Sequence, residues 1–273
     1  MGDAATDTPA SADDELHRFR LAGRVAIVTG GTGGIGSRIC QALGRVGASV
    51  VVHGRDERRT GAVCDGLRAE GIAAVPVLGD LTRLTDADRL ADAALAAFSR
   101  VDVLVTTVGG GAGSALYPAE SYPEDEWDRM LDLNLRAALL PTQAAARAMI
   151  TGGRGGRVLH LSSVRGQLGI DNGFSAYVAA KGALDALTRQ QATEWAKHGI
   201  TVNAISPTFV ATEQTAELLA DEDFRAGLEE RIPLHRIADT DDIVGAALLL
   251  CTDASSFITG QVLTLDGGLT ACQ

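Results

Sequence analysis

Tyr177 and Lys181 stand four residues apart in Tyr177-Val178-Ala179-Ala180-Lys181. On a helix that interval puts two side chains on one face, one turn apart. A phenol with its ordinary pKa of ~10 is a poor acid or base near neutrality. A neighbouring ammonium favours the phenolate and brings the group toward the working range. Ser163 precedes Tyr177 by fourteen residues in Leu161-Ser162-Ser163-Val164-Arg165-Gly166, where a hydroxyl at a strand end can polarise a carbonyl; Ser162 is the competing hydroxyl. Asn134, in Leu133-Asn134-Leu135, is a carboxamide inside an apolar run and must find hydrogen-bond partners. Together these groups offer proton transfer to or from a substrate oxygen. A Tyr-x-x-x-Lys pair alone is equally consistent with two exposed side chains, so the weight rests on the combination.

A second group of residues suits a phosphorylated ligand. Thr29-Gly30-Gly31-Thr32-Gly33-Gly34-Ile35-Gly36 follows an aliphatic run and opens a helical one. Glycines at this spacing let the backbone turn tightly and approach a pyrophosphate, while the helix N-terminus presents unpaired N–H groups. In isolation such a stretch is merely a flexible turn; its place between a first strand and a helix is what gives it meaning. The next strand-like run ends in Gly54-Arg55 rather than in the acid that grips a ribose 2′-hydroxyl. A small residue followed by Arg leaves room for, and charge against, a 2′-phosphate. The other reading is a solvated Arg among Asp56, Glu57, Arg58 and Arg59, with Asp56 reaching a ribose.

The elements that must position these residues are legible as an alternation. Runs at 25–29, 49–53, 73–78, 102–107, 157–162, 201–206 and 261–264 are short, β-branched and bounded by Gly, Asp or Ser, which predicts seven strands. Longer amphipathic stretches at 34–46, 56–70, 84–99, 123–149, 173–198 and 239–251 predict helices. Such alternation implies an α/β architecture, a doubly wound parallel sheet with helices on both faces and strands near-continuously apolar. Neither a linker nor an internal repeat divides it. The interval 207–238 interrupts the alternation and is expected to be a short-helix insertion that covers something.

Of the 273 residues, 46% are hydrophobic but only 4% aromatic, so the core must be aliphatic. Against 24 basic residues stand 35 acidic ones, a net charge of −11, which argues against nucleic-acid partners but not against an anion site made of backbone amides. The first twenty residues are acidic and lack the basic and apolar regions of a secretory signal; they read as a mobile arm. Cysteines at 40, 64, 251 and 272 have no paired spacing, so neither a zinc site nor a disulfide framework is expected, in keeping with a reducing cytoplasm. No run of ~18 apolar residues predicts a membrane span.

The spacing Thr-Gly-x-x-x-Gly-x-Gly from Thr29, with Asn134, Ser163, Tyr177 and Lys181 in order behind it, resembles the short-chain dehydrogenase/reductase family over about 23–268. The resemblance implies a Rossmann fold and an Asn134-Ser163-Tyr177-Lys181 tetrad; Ser163 is preferred to Ser162 because the family's Ser-x-x-Gly pattern then falls on Gly166. It implies coenzyme contacts from Gly30, Thr32, Gly33, Gly34, Ile35, Gly36, Arg55, Asp80, Leu81, Gly109, Tyr177, Lys181, Pro207, Val210 and Thr212. It implies NADP(H), with NAD as the alternative, no metal, and a homotetramer paired through the 123–149 and 173–198 helices and the C-terminal strand. Within it, Tyr177 is the proton donor, Ser163 orients the substrate oxygen, Lys181 holds the nicotinamide ribose and Asn134 completes a proton relay. Two departures stand out. Thr106-Thr107-Val108-Gly109 replaces the usual Asn-Asn-Ala-Gly, so the central sheet must be stabilised differently there. Thr208 replaces a Gly after Pro207.

For the substrate, the segments 194–198, 211–215 and 231–234 resemble the branch of gluconate 5-dehydrogenase and 2-dehydro-3-deoxygluconate 5-dehydrogenase. That implies a sugar acid with Arg165, Arg231, His235 or Arg236 near its carboxylate, although Arg231 is equally able to pair with Glu229 or Asp239. A 3-oxoacyl-thioester reductase is the alternative enzyme and would need an apolar channel beside 207–238. A catalytically silent NADP(H)-binding regulator is the non-enzymatic alternative.

Overall fold

The computed structural model describes residues 16–110, 115–171 and 173–271. Residues 1–15 of the expected arm, Gly111 and Cys272 lie outside them. At the described end of the arm, Arg18 donates to Asp253 O at 3.0 Å and to Ser256 Oγ at 2.9 Å, fastening the chain before it enters the first strand.

Seven strands, β1 (Val25–Thr29), β2 (Ser49–Gly54), β3 (Ala74–Leu78), β4 (Val103–Thr106), β5 (Gly156–Leu161), β6 (Ile200–Pro207) and β7 (Val262–Leu265), form one sheet in the order β3-β2-β1-β4-β5-β6-β7. Every pairing is parallel. Each strand therefore returns through a crossover, and the helices cover both faces. The central strands are buried along their whole length, whereas β7 at the edge is half-exposed. The order in which strands are added reverses between β1 and β4, and in such sheets ligands bind in the crevice that opens there at the carboxyl ends of the strands.

The crossover helices are α1 (Gly34–Arg45), α2 (Glu57–Ala69), α3 (Leu84–Phe98), α4 (Glu124–Leu131), α5 (Ala137–Gly152) and α6 (Ser175–Trp195). Two short ones, α7 (Ala216–Leu219) and α8 (Glu222–Arg231), fall in the predicted insertion, and α9 (Thr240–Cys251) follows with an Asp239–Asp242 capping box. One core lies under α1 and α9, with Ile39, Leu43, Val50 and Leu250 buried; another lies under α3 and α5, with Ile27, Leu90, Leu104 and Met149. Both are aliphatic, as the low aromatic content requires.

The stretch expected as one helix over 123–149 is interrupted by a π-helical turn, Asp132–Arg136. Its cause is local. The carboxamide of Asn134 donates to Met130 O at 3.1 Å, the oxygen that an α-helical amide at 134 would take, so the backbone widens by a residue there.

Threonines replace carboxamides beside β4, and each hydroxyl finds a partner. Thr107 Oγ1 donates to Thr29 O at 2.6 Å, stitching β4 to β1. Thr106 Oγ1 lies 2.8 Å from His160 Nδ1, and His160 Nε2 lies 3.2 Å from Gln191 Oε1. The Gln oxygen only accepts, so Nε2 carries the proton and Nδ1 accepts from Thr106. Burial pulls the His160 pKa down to about 4, which keeps this ring neutral in the core.

Gly36 is where α1 crosses the turn that precedes it: a Cβ there would collide with the carbonyl oxygen of Gly30. Overpacking against backbone costs roughly 1–3 kcal/mol. Gly36→Ala is expected to lower the urea midpoint by a corresponding amount, and an unchanged midpoint would show that the turn yields freely.

Candidate active site

The mouth of the crevice is built from two glycine turns. After β1, the turn ends at Gly33, which caps α1 without a side-chain bond to its amides and with no acid in the first turn. The N-terminal N–H groups of α1 are therefore presented to a ligand, in the field of the helix dipole. His53, at the end of β2, fixes this turn from behind. Its Nδ1 accepts from Gly30 N at 3.3 Å, its Nε2 donates to Gly79 O at 3.1 Å, and burial lowers its pKa. Ile35 packs on the core under α1.

Arg55 stands exposed at the tip of β2. Asp56 beside it caps α2, accepting from Arg59 N at 2.9 Å, so this carboxylate is committed to the helix. Arg59 pairs with Glu213 at 2.6 Å. After β3, Asp80 Oδ1 accepts from the amide and hydroxyl of Thr82 at 3.1 and 2.8 Å, bonds that hold the carboxylate below its usual range although partial burial opposes them. The Leu81 side chain is buried in the core with Leu90, so only its backbone is available to a ligand.

After β4 comes Gly109 with φ +152°, followed by Gly110 with φ +104°. A Cβ at Gly109 would stand 2.9 Å from Asn134 Oδ1 and 3.3 Å from Lys181 Nζ. Glycine is needed both for the dihedral and for the approach. Asn134, fully buried, grips the next residue from both sides: Oδ1 accepts from Gly110 N at 2.8 Å and Nδ2 donates to Gly110 O at 3.1 Å. The π turn that frees this carboxamide thus fixes the loop.

Tyr177 and Lys181 share a face of α6. Lys181 is 3% exposed; its Nζ donates to Leu161 O at 2.9 Å and stands 5.7 Å from the Tyr177 ring centroid. Burial depresses the ammonium to about 8, with the Asp185 charge opposing the shift. Burial raises the Tyr177 phenol, while a hydrogen bond with Ser163 and the charge of Arg165 work the other way. The two serines are divided. Ser162 Oγ donates to Asp185 Oδ1 at 2.5 Å, behind Lys181, whereas Ser163 is the serine that acts on the Tyr177 phenol. The groups around Tyr177 can thus hold an oxygen between two hydroxyls, with a cation a turn away to favour the phenolate.

The insertion lies across this crevice. Beyond Pro207, buried at the end of β6, Val210 bridges to Ala238. A Cβ at Gly34 would meet the Thr212 methyl at 3.0 Å, and one at Gly110 would run into the Gln214 carboxamide. Residues 212–215 therefore span from one glycine turn to the other, with Glu213 bound to Arg59 outside them. On the opposite side all three tyrosines of the chain gather with Trp127: Tyr117, Tyr122, Trp127 and Tyr177 pack around Ala115, Met130 and Ala176. Glu213, Gln214 and His53 were not singled out from sequence, since nothing in their spacing marks them. Of the basic candidates, Arg236 is forked onto Asp242 at 2.6 and 2.7 Å, and His235 Nδ1 faces Glu229 O at 3.3 Å.

Lys181 titrates below its unfolded value of 10.5, so between about pH 8 and 10.5 the unfolded chain binds one proton more than the folded one. Stability then rises with pH through that window. Lys181→Met is expected to lack this contribution. Its urea midpoint, compared with that of the parent at pH 7, 8.5 and 9.5, loses ground as pH rises; parallel curves would contradict a buried ammonium.

The chain is similar to known proteins over nearly its whole length. Residues 30–270 match the family described as Enoyl-(Acyl carrier protein) reductase. Gluconate 5-dehydrogenase of Gluconobacter oxydans (strain 621H) is 38% identical over 256 residues, covering 92% of this chain and 96% of that protein. The crystal structure of a gluconate 5-dehydrogenase from Burkholderia cenocepacia J2315 in complex with NADP and tartrate superposes with a TM-score of 0.88 at 33% identity, covering 94% of this chain and 99% of that one. A short-chain type dehydrogenase/reductase from Mycobacterium marinum gives a TM-score of 0.87 at 31% identity, covering 94% and 100%.

Proposed function

The chain belongs to the short-chain dehydrogenase/reductase family, and on that premise we propose that it is an NADP(H)-dependent oxidoreductase interconverting the ketone and secondary alcohol of a sugar acid. The observation that carries the reading is the convergence of Ser163, Tyr177 and Lys181 beside Gly109, at the carboxyl ends of the central strands. The similarity to two gluconate 5-dehydrogenases supports the sugar acid.

The cofactor site fits a phosphorylated dinucleotide: the uncapped amides of α1 suit the pyrophosphate, and Arg55 suits a 2′-phosphate while Asp56 is occupied as a helix cap. Gly30, Thr32, Gly33, Gly34, Ile35 and Gly36 line the phosphate turn. Asp80 and the Leu81 backbone bound the adenine end; Gly109, Pro207, Val210 and Thr212 bound the nicotinamide end. When bound, NADP(H) supplies or accepts the hydride at the substrate carbon. Ser163 donates a hydrogen bond to the substrate oxygen, and Tyr177 gives it a proton in reduction or takes one in oxidation. Lys181 favours the phenolate and would hold the nicotinamide ribose, and Asn134 fixes the Gly109–Gly110 loop against this ammonium. Residues 207–238 serve as the substrate lid.

Half-exposed β7, with Leu263 on it and Phe257 fully exposed nearby, supports burial of this edge against a second copy in a homotetramer. Among the described residues no helix is long and apolar enough to cross a membrane, and Cys40, Cys64 and Cys251 are free, buried thiols; both accord with a cytoplasmic enzyme.

An NADPH absorbance assay with 5-keto-D-gluconate, a neutral ketose and a β-keto thioester tests the reading. Sugar-acid reduction is expected; turnover of the thioester alone would transfer the chain to the acyl branch, and turnover of none would favour a regulator. Tyr177→Phe should lower kcat by about 10²–10⁴ with NADPH still bound. Arg55→Glu should weaken NADPH by about 10–100-fold and leave NADH little changed; equal losses would remove Arg55 from the 2′-phosphate.

A further inference from the structure

Arg165 and Arg231 line one small cavity together with Thr208, Phe209, Leu228 and Ile232. Most described arginines pair with an acid across a turn or between elements. Among the described residues these two have no carboxylate partner; the Arg165 guanidinium donates only to Gly169 O at 3.3 Å, while its backbone amide donates to Ser163 Oγ at 3.2 Å. Arg165 follows Ser163 by two residues, its amide donates to Ser163 Oγ and its charge acts on Tyr177, so Arg165 links the cavity to the reacting centre. Burial and then the neighbouring Arg231 pull the Arg165 pKa below its ordinary value. Two guanidinium groups turned toward one cavity repel each other, and its apolar walls strengthen every charge interaction inside. An anion between them reverses the sign of that interaction. A carboxylate matches the planar donor fork of Arg in a way that a hydroxyl or a carbonyl does not.

We propose that Arg165 and Arg231 form a carboxylate site, which holds the acid end of a hydroxy or keto acid while its reacting carbon lies at Ser163 and Tyr177. The proposal rests on the sugar-acid reading and names the residues that select it. The lid carries half of the site, since Arg231 ends α8 while Arg165 belongs to the turn after β5. Acid binding therefore draws α8 onto the catalytic end of the sheet. An acyl thioester, which carries no carboxylate at this distance from its ketone, gains nothing there.

Calorimetric titration of D-gluconate and of neutral D-gluconamide into the NADP⁺ complex separates the possibilities. The parent protein is expected to bind gluconate in preference to gluconamide, increasingly weakly as salt rises. Arg165→Gln and Arg231→Gln should each weaken gluconate about tenfold, and the double variant about 100-fold, with gluconamide affected far less. An NADPH fluorescence titration reports whether each variant is folded. Preference for gluconate that persists within twofold in the double variant overturns the site, as does a parent protein that fails to prefer gluconate to gluconamide. Arginine-dependent gluconate binding without any sugar-acid turnover would uphold the carboxylate site and overturn the redox reading instead.

Discussion

Lys181 keeps its ammonium where water hardly reaches, hydrogen-bonded to the Leu161 carbonyl, and several other parts of the molecule answer to that demand. An unpaired buried charge costs several kcal/mol, and an ion returns to its neutral form when nothing compensates it. Here the compensation is assembled from distant stretches of chain. Asp185, one turn further along α6, supplies opposing charge and is itself anchored by Ser162. Gly109 lets the loop after β4 come within touching distance of the ammonium, and Asn134 holds that loop. The order of strands makes this possible, because β4 and β5 are neighbours and α6 follows β5.

What was legible in sequence divides along a physical line. Strand cores are set by runs of β-branched residues between turn formers, and β1 falls on 25–29 as the pattern demands. The Tyr177–Lys181 pairing follows from helix geometry alone. Features that depend on what lies across a gap were not legible. The amphipathic period of 123–149 gives no sign of a one-residue bulge, since the bulge arises from a side chain competing for a carbonyl. The partner of each arginine is another such case: Arg236 and Arg231 look alike in sequence, and only the position of Asp242 separates a saturated charge from an available one.

The threonines at the end of β4 show how a local exception is absorbed. Two carboxamides offer more hydrogen bonds than two hydroxyls, yet His160 and the Thr29 carbonyl accept what Thr106 and Thr107 donate. The result is a chain of neutral groups, Thr106–His160–Gln191, running from β4 through β5 to α6. A charged ring in that place would stand against Lys181, whose own field adds to burial in keeping His160 unprotonated. The substitution at 106 and the histidine at 160 are thus one device, with its partners on three elements.

The aromatic cluster beside Tyr177 has an optical side. A chain with 4% aromatic residues has only two tryptophans. Trp195, partly buried at the end of α6, packs against the aliphatic core under α3 and α5. Trp127 stacks edge-on with Tyr122 and shares the packing of Tyr177. The molecule carries its own two-channel fluorometer: one indole registers packing against the sheet, the other the surroundings of the Tyr177 phenol.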